Sequence, residues 1–120
     1  MRRGLVAMLM GLAAPLWAQS EVEMGQGAML RALDKVSGEV TDIEIRSASS
    51  ARFGRITINL GECRYPAGDP ARDAYAFLTI QEDGTAEPQF SGWMMASSPA
   101  LNALDHPRYD VWVMRCKTDT

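Results

Sequence analysis

The stretch SSPALNALDHPRYDVW, Ser97 to Trp112, carries Ser97, Ser98, Asp105, His106 and Asp110, and His106 is the only histidine in the chain. These are the residue types of a serine hydrolase: a hydroxyl nucleophile, an imidazole base and a carboxylate to orient it. Neither serine sits in a G-x-S-x-G elbow or another nucleophile motif. Local backbone chemistry accounts for the same residues. Ser98 followed by Pro99 reads as a helix start, with serine as the cap and proline at a position that needs no donor. Leu101 and Leu104 then share one face of a short helix near residues 99–105, which the His106-Pro107 pair ends. His106 suits the negative end of that helix. Asp110 can accept from a nearby backbone amide where the next strand begins. No catalytic residue is therefore expected, and a small hydrolase using Ser97 or Ser98 with His106, and Asp110 as a further candidate, is the alternative reading.

Cys63 and Cys116 are the other reactive pair. The chain has no C-x-x-C, and a lone histidine supplies no ligand cluster, so neither a redox pair nor a metal site is expected. In an oxidising compartment an even cysteine count reads as a disulfide. Such a bridge would close a loop of about 54 residues and contribute on the order of 4 kcal/mol in the chain-entropy model.

Gly92-Trp93-Met94-Met95 is the best candidate for an interaction surface. Such residues pack cores more often than they bind partners. Strand alternation sends Trp93 and Met95 one way and Met94 the other, so one face can stay open to a partner.

The elements that position these residues are mostly strands. Thr41, Ile43 and Ile45 alternate with Asp42 and Glu44, and Ile56, Ile58 and Leu60 alternate with Thr57 and Asn59. Gly61 breaks that phase, and a bulge at Gly61-Glu62 would turn Cys63 inward. Residues 74–80 have two apolar faces, which reads as a central strand. Residues 89–97 read as extended. In residues 110–116 Trp112, Met114 and Cys116 fall on one face, and Val111 and Val113 on the other. Residues 28–36 fit either a helix or a strand leading into a turn at Asp34–Glu39, and residues 47–51 read as a loop. The pattern predicts a mainly β fold: a small antiparallel β-sandwich or barrel with one short helix.

The first twenty residues read differently. Arg2 and Arg3 precede an uncharged apolar run of 13 residues, Leu5 to Trp17, then Ala18-Gln19-Ser20. That is the grammar of a cleaved secretory signal peptide, and the run is short of the ~20 residues that span a bilayer. The expected organisation is a signal peptide over 1–20, a flexible leader over 21–27 and a single β-rich domain over 28–120. The location is then periplasmic, with no transmembrane span after processing. Losing Arg2 and Arg3 from 12 basic residues, against 15 acidic ones, moves the net charge from −3 to about −5. Nucleic acid and anionic membrane surfaces are poor partners for such a chain. No cofactor is expected, and the composition leaves the oligomeric state open.

The run FSGWMMASSPALNALDHPRYDVWV, Phe90 to Val113, resembles the C-terminal signature of an alphaproteobacterial family, domain of unknown function 2155. Leu33-Asp34-Lys35-Val36-Ser37-Gly38, Arg52-Phe53-Gly54, Cys63 and Cys116 also resemble its pattern. Members often carry a proline-rich stretch after the first cysteine, where this chain has only Pro66 and Pro70. The resemblance implies an exported envelope protein of a Gram-negative bacterium and carries over no catalytic residue. Family genes often neighbour one for an accessory subunit of respiratory complex I. The function expected is that of a non-enzymatic domain binding a protein partner or envelope component. A purely structural envelope protein and an accessory factor of a respiratory membrane complex are further readings.

Overall fold

The computed structural model describes residues 21–69 and 72–118. The signal peptide expected over 1–20 lies outside the described residues. Among the described residues there are eight strands: β1 (Val22–Met24), β2 (Gly27–Asp34), β3 (Val40–Arg46), β4 (Ser49–Phe53), β5 (Ile56–Pro66), β6 (Tyr75–Glu82), β7 (Phe90–Met95) and β8 (Tyr109–Lys117). They form two antiparallel sheets, one ordered β1-β5-β6-β7 with β4 also paired to β5, the other ordered β3-β2-β8. The sheets pack face to face without closing, so the fold is a sandwich and not a barrel.

Alternation builds the core. Ala28, Leu30 and Ala32 of β2 face Ile56, Ile58 and Leu60 of β5 and Ala76, Leu78 and Ile80 of β6, all essentially solvent-free. The β5–β6 register slips between Leu60 and Cys63, which sets the inserted Gly61-Glu62 step against Phe77 and turns Cys63 into the core, as the sequence predicts. β6 is central in its sheet. Among the described residues its second apolar face is not covered by another layer, because a two-layer sandwich buries only one side of each sheet.

Several local expectations are settled or corrected. Residues 28–36 are strand and turn: β2 ends at Asp34, whose carboxylate accepts the Val36 and Ser37 N–H groups. Residues 21–27, expected as a leader, hold β1 and the first residue of β2. Residues 49–51 of the predicted loop are instead the start of β4, which runs on to Phe53 and is held by backbone pairing to β5. The short helix is one 3-10 turn, Pro99–Leu101, and the Ser98 side chain makes no capping bond. Leu101 is exposed while Leu104 is buried, so they do not share a face. β8 carries a bulge opposite the Met29/Leu30 step, and Cys116 faces inward with Val111 and Val113 instead of outward with Trp112. Among the described residues no helix is long and apolar enough to cross a membrane.

Candidate functional site

The connector from β7 to β8, with the first residues of β8, contains the residues that hydrolase chemistry would use and engages them otherwise. His106 is buried, and its Nδ1 accepts the N–H groups of Arg108 at 3.0 Å and Tyr109 at 3.2 Å. An accepting Nδ1 places the ring proton on Nε2, which lies 3.0 Å from Glu82 Oε1. Both ring nitrogens are thus engaged, and no serine is among their partners. Ser97 is exposed in a hollow with Arg72, Asp73, Ala96 and Met114. Asp110 Oδ1 accepts the Val111 N–H at 3.0 Å, the backbone role read from the sequence.

These bonds have a common effect. β7 and β8 are edge strands of their sheets, and unpaired edges invite further strands. Asn102 Nδ2 donates to the Trp93 carbonyl at 2.9 Å, and the Ser98 N–H donates to the Met95 carbonyl. His106 and Asp110 take the Tyr109 and Val111 N–H groups of β8. The connector therefore occupies backbone groups at both edges.

Its far end is pinned by charge. Arg108 Nε and Nη2 donate to the Asp34 carboxylate at 2.9–3.1 Å. Those bonds are the main reason the Asp34 carboxyl is held down at about 2; burial opposes them, and the Ser37 and Val36 amides add to them. Lys35 Nζ donates to the His106 carbonyl at 2.7 Å. Tyr109 closes the cluster: its ring lies edge-on to Phe53, and its hydroxyl accepts the Arg55 N–H at 3.0 Å.

The second candidate region is the outer face of the five-stranded sheet. Met94 is buried, whereas Trp93 and Met95 are only half-buried, which is the predicted division. Register places Met24, Arg64, Tyr75 and Met95 in one row across β1, β5, β6 and β7, with Phe77 and Trp93 in the next. The Phe77 and Trp93 rings meet edge-on with centroids 5.3 Å apart. The Arg64 guanidinium stands 5.1 Å from the Trp93 ring centroid and bonds Glu62 at 2.8 Å. Val22, Arg64, Tyr75 and Trp93 line a groove of about 270 Å³. The outer face of the other sheet is laced with charge instead: Arg31 pairs with Asp42 at 2.7 Å and Lys117 with Glu44 at 3.7 Å.

Val22, Arg64 and Tyr75 were not singled out by the sequence reading. The available signal was the second apolar face of β6, Tyr75 and Phe77, which a two-layer fold has to leave outside. Among the described residues no group of three or more His, Cys, Asp or Glu side chains is placed to hold a metal ion.

Residues 28–116 match the model of a family described as "Uncharacterized protein conserved in bacteria (DUF2155)". The chain is also similar to an uncharacterized protein of Rickettsia prowazekii (strain Madrid E), at 31% identity over 88 residues. That alignment covers 71% of this chain and 57% of the relative, so the chain spans little more than half of the relative's length. No solved structure is significantly similar to it. With a family match over most of its length, the chain belongs to the bacterial family DUF2155.

Proposed function

We propose that this chain acts as an exported, non-enzymatic binding domain of the bacterial cell envelope, and that it holds its partner on the outer face of the five-stranded sheet. The observation that carries the reading is the groove of Val22, Arg64, Tyr75 and Trp93, where aromatic rings and an arginine stem converge on an uncovered sheet face. Aromatic and arginine anchors of this kind dominate binding surfaces. Export is supported by the Arg2-Arg3 and Leu5–Trp17 pattern, and by the Cys63–Cys116 bridge, which suits an oxidising compartment. A non-catalytic role is supported by His106, whose ring nitrogens are committed to Glu82 and to backbone amides.

The test is a photoreactive amino acid placed at position 93 or, on the opposite outer face, at position 112, in cells that produce the protein. The reading predicts a discrete cross-linked envelope species at 93 and none at 112. Silence at 93, or the same species at both positions, contradicts it.

A further inference from the structure

We propose that the ligand of this face is a neutral oligosaccharide; the proposal rests on the binding-domain reading above and names the chemistry of its partner. Beside the aromatic groove lies a second hollow, of about 350 Å³, where Ser49, Ser50, Asn59 and Thr79 surround Gly61 and Phe77. The Phe77–Trp93 ring pair stands between the two hollows. A pyranose has two kinds of surface: C–H faces that pack on aromatic rings, and a rim of hydroxyls that both donate and accept. The groove supplies rings. The hollow supplies hydroxyls and a carboxamide, groups that also donate and accept without carrying charge.

Charge complementarity favours a neutral ligand. None of the described residues lining the second hollow is charged, in a chain with 15 acidic and 12 basic residues. Arg64, the cation of the groove, already faces Glu62 and the Trp93 ring. Two of these polar groups are also held in place: Asn59 Nδ2 donates to the Thr79 carbonyl at 3.3 Å, and the Thr79 hydroxyl lies 3.5 Å from that of Ser91. Such preorganisation lowers the ordering cost of binding.

Gly61 is the most telling residue. It is not among the glycines with positive φ, and a Cβ built on it would meet the Phe77 ring at an ordinary 3.5 Å. Neither backbone nor packing requires glycine there. The effect of the missing side chain is to leave the Phe77 ring open to the hollow.

Affinity electrophoresis of the oxidised protein tests this, in gels containing a soluble cellulose ether, a soluble chitin derivative or dextran, with polygalacturonate as the anionic control. The expected result is retardation by at least one neutral polymer and none by polygalacturonate. Trp93→Ala, Gly61→Val and Thr79→Val should each weaken retention about tenfold, while Trp112→Ala leaves it unchanged. If Trp93→Ala does not fold by circular dichroism, Gly61→Val and Thr79→Val decide. Absence of retardation in all three neutral gels, or retention indifferent to these substitutions, overturns the proposal. A protein cross-linked at position 93 without glycan retention removes the sugar and leaves the binding-domain reading standing; with neither, both fall.

Discussion

Cys63 and Cys116 meet across the sandwich because each follows a break in the register of its own strand. In β5 the slip falls between Leu60 and Cys63; in β8 it falls between Val113 and Arg115, opposite the Leu30/Met29 step. One inserted residue reverses which face the following side chains occupy. Both sulfurs therefore point into the core, 2.05 Å apart, and join the five-stranded sheet to the three-stranded one.

Breaking that bond should cost stability and not the fold class. A Cys63→Ala/Cys116→Ala double variant is expected to lose about 2–5 kcal/mol in denaturant unfolding. Reductant should lower the wild-type midpoint to a similar extent and leave the double variant unmoved. A midpoint indifferent to both changes would show that the bridge is absent from the native protein.

Acid should unpin the β8 end of the connector. The Asp34 carboxyl is held at about 2 against an ordinary 3.8, so its charged form is favoured by folding. The resulting stability is fully present above the ordinary value and is lost as pH falls through the folded one. Asp34→Asn is therefore expected to be less stable at neutral pH and to show a flatter fall in stability between 3.8 and about 2. Thermal melts across that range measure both effects.

Tyr109 and Gly54 should show coupled losses. Tyr109→Phe removes the acceptor of the Arg55 N–H and should cost about 1 kcal/mol. Gly54 has φ +59°, and a Cβ there would lie 2.5 Å from the Tyr109 hydroxyl oxygen. Gly54→Ala should thus cost on the order of 2 kcal/mol in a left-handed conformation. The cost should shrink in the Tyr109→Phe background, because the nearest clashing atom is gone while the ring carbons at 3.0 Å remain; a double-mutant cycle reads the difference.

The connector should act as an edge guard. Asn102→Ala frees the Trp93 carbonyl, and Asp110→Ala frees the Val111 N–H, each on an edge strand. The double variant is expected to self-associate at concentrations where the wild type stays dispersed, as light scattering would detect. Ser97→Ala, in contrast, should leave both folding and dispersion unchanged.

The alternating strands were legible because burial in a sheet has a period of two: β3 and β5 follow their apolar residues closely. β4 was not, because Ser49-Ser50-Ala51-Arg52 has no apolar alternation; backbone pairing to β5 holds it and only Phe53 is fully buried. The β8 bulge left no mark in side-chain types, so the phase of Cys116 was misread. The division of Trp93, Met94 and Met95 was readable from alternation alone. Arg64 and Val22 were not, since their place beside Trp93 depends on the register of β1, β5, β6 and β7, which no single strand encodes.

Export into an oxidising compartment, with the two sheets joined covalently, is tested most directly by the intact mass of protein taken from its native cells and alkylated under denaturing conditions without reductant. The predicted result is a chain lacking its first eighteen to twenty residues, with neither cysteine alkylated. A chain that retains Met1–Ser20 and carries two alkylated cysteines would contradict it.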